Sequence, residues 1–212
     1  MALLPLSKNE MDNGIKILSQ KDSRLKTLFE QYNVPALKDE KNYFWSLCRS
    51  IIYQQISGKA AQVISERFIN LFPSKKELTP KQILEANINN FYEAGLSKQK
   101  ANYIKNIASA FYNNIIDENN LSNSSNDDII KTLTSIKGIG PWTAEMFLIF
   151  TLKRPDVFPL TDLGIQKGFK IFFSMDKMPS MSLMKDESHK WKPYRTIVSL
   201  YLWFAVEGPF EW

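Results

Sequence analysis

Apolar residues recur at helical spacing along most of this chain. Over 126–134 (NDDIIKTLT), Ile129, Ile130 and Leu133 fall on one face, and Asn126 and Asp127 stand before them as polar residues suited to a helix start. Over 141–150, Trp142, Met146 and Phe150 repeat at i, i+4 and i+8. Between the two lies Ile136-Lys137-Gly138-Ile139-Gly140-Pro141. Two glycines one residue apart permit backbone angles that other residues avoid. Pro141 suits a first helical turn, where its missing N–H has no helical partner to lose. The stretch 126–150 is therefore predicted to be a helix, a tight hairpin and a second helix.

The same periodicity predicts the other elements. Residues 7–32 form two helices broken near Lys21-Asp22-Ser23, with Leu25, Leu28 and Phe29 as an apolar face. Residues 41–56 form a strong helix carrying Tyr43, Phe44, Leu47, Ile51 and Ile52, and Gly58 marks a joint to a helix over 59–72. Two short helices follow over 80–86 and 87–94. Gly95 suits a left-handed helix stop, Ser97 suits an N-cap, and 98–116 is the next helix. The Asn/Ser-rich segment 117–128 reads as a loop. Thr161 is a good N-cap, which puts Asp162 in a first helical turn, and that helix runs to Phe173. A short helix or loop covers 180–187. The run Trp191-Lys192-Pro193-Tyr194-Arg195 starts the last helix, which goes to about Val206, with Ile197, Leu200, Tyr201 and Phe204 as its buried stripe and Trp203 offset from it. The fold class expected is all-α, as two helical lobes around a cleft: 40–150 in one, 1–39 with 151–212 in the other, and Asp162 near the cleft's mouth.

Composition narrows the chemistry. The chain has 212 residues, 44% of them hydrophobic, enough for one good core or two small lobes. The net charge of +5 permits an anionic partner without demanding one, and the cations are spread along the chain rather than gathered in a tail. Cys48 is the single cysteine, so no internal disulfide and no four-cysteine cluster can form. His189 is the single histidine, which excludes a histidine-rich metal site and makes a Ser-His-Asp triad improbable. No membrane-length apolar run is present, and the start MALLPL is too short for a leader. The expected setting is the cytoplasm or nucleoid of a bacterium or the nucleus of a eukaryote, without secretion.

The hairpin has a use beyond turning. Glycine N–H groups are unshielded, and here they adjoin a helix start, a combination that attracts an anion such as a DNA phosphate. Lys137 adds a cation beside it. The residues that follow sharpen the reading. The run Gly138-Ile139-Gly140-Pro141-Trp142-Thr143-Ala144, then a proline-containing loop, then Thr161-Asp162, resembles the helix–hairpin–helix DNA glycosylases and within them the 3-methyladenine DNA glycosylase II family. The resemblance covers about residues 40–205 and is sharpest over 132–168.

It implies roles for particular residues. The junction at the end of the 41–56 helix faces DNA in this family. Its plug, the side chain that fills the gap left by an extruded nucleotide, maps to Gln55, with Gln54 and Ser57 nearby. Ser97, Lys137, Gly138, Ile139, Gly140 and Thr143 fall on the DNA-binding side. Trp203 maps to the base pocket. Trp142 is the other principal aromatic candidate for it, and Tyr43, Phe44 and Met146 are further candidates. An alkali ion held by the backbone at Ile136 and Gly138 is also implied, with no catalytic metal and no cofactor.

The chemistry is consistent with those residue types. Breaking an N-glycosidic bond leaves positive charge on the sugar, which a fixed carboxylate stabilises. Asp162 carries the family match, and Asp156 is the nearest rival in sequence. An alkylated purine already carries ring charge and leaves without a strong general acid, and an electron-rich aromatic pocket attracts it. Strand-cutting relatives place a Schiff-base lysine two residues after the last hairpin glycine, where this chain has Trp142. The expectation is a monofunctional glycosylase without lyase activity, a monomer, acting on double-stranded DNA with alkylated bases. The alternatives are a non-catalytic binder of abasic or distorted DNA, a glycosylase for oxidised or deaminated bases, and a helical module without nucleic acid. Two departures stand out. About forty residues precede the match, too few for the β-containing N-terminal domain of larger members, and Ser57 stands where some relatives carry a bulkier minor-groove residue.

Overall fold

A computed structural model describes residues 5–73, 78–121 and 123–208; residues 1–4 of the apolar start lie outside them. Among the described residues there are helices and no strand. In chain order they are α1 (Lys8–Lys21), α2 (Ser23–Gln31), α3 (Tyr43–Tyr53), α4 (Gly58–Ile69), α5 (Pro80–Glu85), α6 (Ile88–Glu93), α7 (Lys98–Tyr112), α8 (Glu118–Leu121), α9 (Asn126–Thr134) and α10 (Pro141–Met146). A π turn (Phe147–Thr151) follows, then α11 (Leu163–Phe172), α12 (Met181–His189) and α13 (Arg195–Glu207). The chain divides into two compact units, Glu40–Phe147 and Met1–Asp39 with Leu148–Trp212.

The continuous unit is built on α3 and α7. Leu47, Ile51 and Ile52 of α3 and Ile104 and Ile107 of α7 are fully buried, each such side chain contributing about 1.5–3 kcal/mol. Phe44 meets Phe111 edge to face at 5.3 Å, and Phe68 meets Phe91 at 4.9 Å. Caps decide the ends. Thr79 and Gln82 form a reciprocal capping box with Pro80 in the first turn of α5. Ser57 caps α4 and Ser97 caps α7. Several expected ends shift. α3 closes at Tyr53 rather than running to Ile56, α7 closes at Tyr112 rather than Ile116, and the segment expected as loop contains α8. α9 is capped by Ser125, whose hydroxyl accepts from the Asp128 N–H, so Asn126 lies inside the helix.

The second hairpin helix departs more. It is α-helical only over α10 and then widens into the π turn. The wider turn spoils the i, i+4, i+8 register. Trp142 is exposed, Met146 buried and Phe150 half-buried, so the three do not form one uniform face.

In the discontinuous unit Asp22 closes α1 and caps α2, which places the predicted break. α11 packs on α13, and Ile197, Leu200 and Tyr201 of α13 are buried as the stripe requires, whereas Phe204 is half-buried and Trp203, expected off the stripe, is buried. Trp191 is 1% exposed among Phe158, Phe169, Phe172 and Phe173. Arg195, at the start of α13, pairs with both carboxylate oxygens of Asp156 at 2.6 and 2.9 Å.

Candidate nucleic-acid interface and candidate carboxylate

The continuous unit carries an open concavity of about 630 Å³. It is lined by the end of α3 (Tyr53, Gln54, Gln55), the start of α7 (Ser97, Gln99, Lys100, Tyr103), the hairpin (Gly138, Ile139, Gly140) and α10 (Trp142, Thr143). Eight of the residues singled out from sequence therefore share one surface. Ser57, exposed at the start of α4, and Lys137, exposed in the hairpin, are not among its walls.

The two hairpin glycines serve different purposes. Gly138 has φ +115°, and a Cβ there would lie 2.3 Å from Cγ of Tyr103. The turn thus needs glycine for both its backbone angle and the ring packed on it. Gly140 has φ −92° with no atom within 4 Å of a would-be Cβ. The expectation that both glycines supply unusual angles is corrected at Gly140. It needs no special backbone, and its small size leaves the start of α10 open.

The end of α3 is held tightly. Gln54 Nε2 donates to Thr143 Oγ1 at 3.2 Å and, more weakly, to the Gly138 carbonyl at 3.4 Å. Lys100 Nζ donates to the carbonyls of Ile52 at 2.8 Å and Gln54 at 2.7 Å. Burial pushes the Lys100 ammonium below its usual pKa. Lys105 is engaged likewise, by the carbonyls of Leu84 and Ala86, and its pKa is lowered for the same reason. Two lysines of α7 are thus spent on the carbonyls at other helix ends. Gln55 is exposed and has φ +57°, a left-handed backbone that a side chain with a Cβ disfavours. Neither the left-handed Gln55 nor the Lys100 contacts were legible from periodicity, although the Gly-Leu-Ser-x-x-Lys run from 95 to 100 flags that lysine.

The carbonyls proposed for an alkali ion are both engaged. Ile136 O accepts from Ile139 N at 3.0 Å, and Gly138 O accepts from Gln54. A cation there would share them and draw its other ligands from outside this turn. No group of three or more His, Cys, Asp or Glu suited to a metal occurs among the described residues.

The discontinuous unit holds the candidate carboxylate. Asp162 is not in a first helical turn behind Thr161. It is the N-cap of α11, with φ −72° and ψ 126°. Its short carboxylate reaches the third N–H of the helix better than a residue inside the turn could. Oδ1 accepts from Ile165 N at 2.8 Å and from the indole Nε1–H of Trp203 at 2.7 Å. Gly164 makes room for the ring, since a Cβ there would lie 2.8 Å from Cδ1 of Trp203. Trp203 is 6% exposed and stacks on Phe150 at 5.8 Å. So Trp203 orients the carboxylate, a role that sequence spacing did not reveal. The rival Asp156 is committed to Arg195.

Two pocket candidates are placed otherwise than expected. Phe44 and Met146 are each 2% exposed, and Phe44 packs on Phe111 in the core. Their assignment to an open pocket wall is corrected to core packing, the usual fate of apolar residues at helical spacing. Tyr43 is half-buried and meets Phe147 edge to face at 6.0 Å. Trp142 remains accessible, at 36% exposure. Among the described residues no helix is long and apolar enough to cross a membrane.

Comparison with known proteins matches residues 48–193 to the family described as HhH-GPD superfamily base excision DNA repair protein. The chain is 33% identical over 187 residues to DNA-3-methyladenine glycosylase 1 of Schizosaccharomyces pombe, covering 88% of this chain and 82% of the relative. It is 31% identical over 188 residues to a putative DNA-3-methyladenine glycosylase of Bacillus subtilis, covering 86% of this chain and 66% of that protein. Among solved structures, the S. pombe 3-methyladenine DNA glycosylase in complex with abasic DNA aligns with a TM-score of 0.82 at 32% identity, over 94% of this chain and all of the other.

Proposed function

Because the chain belongs to the HhH-GPD superfamily of base excision DNA repair proteins, we propose that it is a monofunctional DNA glycosylase that excises alkylated purines of the 3-methyladenine and 7-methylguanine type from duplex DNA. The observation that carries this reading is the Asp162 carboxylate, capped into α11 and oriented by the Trp203 N–H.

A base inside a duplex must leave the stack before its glycosidic bond is within reach of an enzyme. The concavity of the continuous unit supplies what that step needs. The open backbone at Gly140 and the helix start at Ser97 suit phosphates. Gln55 is the plug for the vacated position, and Trp142 offers an aromatic face. Asp162 then stabilises the positive charge that develops on the sugar as the C1′–N bond breaks. Water forms the new C1′–O bond, and Asp162 accepts its proton. The base departs with the electron pair of the broken bond, and an alkylated, cationic purine leaves as a neutral molecule.

The lack of lyase activity rests on Trp142, which stands where strand-cutting relatives carry lysine. Lys100, the lysine that does line the concavity, is engaged by two carbonyls.

The test measures base release from methylated duplex DNA by the wild type and by Asp162→Asn, with binding to abasic DNA in parallel and borohydride trapping of any Schiff base. Release by the wild type, at least about 100-fold slower in the variant, with binding retained and no trapped adduct, is the expected outcome. Asn caps a helix as well as Asp, so the variant keeps its fold. Binding without release by the wild type would overturn the enzyme reading in favour of a damage binder, and a trapped adduct would overturn monofunctionality.

A further inference from the structure

We propose that Lys100 and Gln54 are positioning residues that brace the Gln55 loop in its left-handed conformation and tie it to the hairpin, so that they govern extrusion of the base rather than breakage of its glycosidic bond. The inference rests on Gln55 being the plug.

The argument is one of backbone geometry. The φ of Gln55 is the rotation about its N–Cα bond, which turns the rigid Gln54–Gln55 peptide plane, Gln54 carbonyl included, against the rest of Gln55. Lys100 Nζ lies 2.7 Å from this same carbonyl oxygen and 2.8 Å from that of Ile52, one turn-end earlier in α3. Relaxing Gln55 from φ +57° to the ordinary negative region swings the Gln54 carbonyl off the ammonium. A left-handed glutamine persists only where its surroundings over-determine it, and two charge-assisted hydrogen bonds from one ammonium do so.

The side chain of the same Gln54 reaches the other way, to Thr143 Oγ1 at 3.2 Å and the Gly138 carbonyl at 3.4 Å. Gly138 in turn is held by Tyr103, one helical turn beyond Lys100 on α7. The plug loop, the start of α7 and the phosphate hairpin are thereby linked through two side chains. Two of the three ammonium donors of Lys100 are committed to these carbonyls.

The experiment compares wild type, Lys100→Met, Lys100→Arg and Gln54→Ala. Single-turnover excision of one methylated base is measured in a fully paired duplex and in a duplex where the lesion faces an abasic site, is unpaired, and costs less to extrude. Fluorescence of 2-aminopurine next to the lesion reports extrusion, and thermal melting reports folding. Lys100→Met is expected to lose about tenfold on the paired substrate, the scale of one charge-assisted hydrogen bond. It should stay within about threefold of wild type on the unpaired one. Lys100→Arg should recover part of the loss, since a guanidinium can donate to both carbonyls. Gln54→Ala should show the same paired-substrate bias, which keeps the test decisive if Lys100→Met does not fold.

Equal losses on both substrates, or none, would overturn the brace. The wild type's own base release is a separate readout. If it fails while 2-aminopurine extrusion still depends on Lys100, the excision reading falls and the brace stands.

Discussion

The indole N–H of Trp203 lies 2.7 Å from Oδ1 of Asp162, joining the last turns of α13 to the N-cap of α11. The same oxygen accepts the Ile165 N–H, so two donors from different elements set the orientation of one carboxylate. A hydrogen bond to a charged group is worth about 1.5–3 kcal/mol. Trp203→Phe keeps the ring's stacking on Phe150 and removes the donor. It is expected to slow single-turnover base release roughly 10- to 100-fold while affinity for abasic DNA changes little. An unchanged rate would show that the capping bond alone orients Asp162.

The two hairpin glycines give opposite predictions. Gly138→Ala forces a Cβ into Tyr103 and into a left-handed backbone. It should destabilise the protein by about 2 kcal/mol or more, read as a lowered Tm. Gly140→Ala meets no neighbour and keeps its φ of −92°, so its Tm should lie within a degree or two of wild type. Its affinity for abasic DNA should nevertheless fall, because a methyl group then covers the backbone offered to phosphate. Equal melting of the two variants would contradict this division.

Lys137 is exposed beside the hairpin, whereas Lys100 and Lys105 are bound to carbonyls. Lys137→Ala should weaken duplex binding alike across sequences. It should also reduce the slope of log affinity against log salt by about one phosphate contact, roughly 0.9. An unchanged slope would remove Lys137 from the interface.

One pH effect follows from the discontinuous unit. The side-chain hydrogen bonds from Arg24 hold the Asp22 carboxyl below its usual range, and partial burial opposes them. A carboxylate with a depressed folded pKa stabilises the fold above its unfolded pKa, and that contribution disappears as pH falls through the folded value. Asp22→Asn retains the cap of α2 and loses the ion pair. The stability gap between wild type and Asp22→Asn should be constant from neutral pH down to the usual carboxylate range and close below it. Since the Arg24 side chain is half exposed, the gap should be at most about 1 kcal/mol. Chemical denaturation at a series of acid pH values measures it, and a gap that widens in acid would refute the assignment.

Much of this protein is written locally. Helices with buried stripes, the break at Asp22, the serine cap at 97 and the glycine hairpin follow from periodicity and capping chemistry, which act over a few residues. The Gly-x-Gly-Pro-Trp run followed by Asp162 pointed to the family for the same reason, since its residues lie within one short stretch. What depended on tertiary structure is what joins distant residues. Trp203 reaches Asp162 across 41 positions, Lys100 reaches the end of α3 across 46, and Gln54 reaches Thr143 across 89. Periodicity could not tell that Phe44 and Met146 belong to the core while Trp142 stays accessible, because a helical stripe records only that a face is apolar. Nor could it foresee the left-handed backbone of Gln55, a strain held by contacts from elsewhere in the chain. Spacing along the chain encodes which side of a helix is buried; which buried or polar group meets it is decided only when the helices pack.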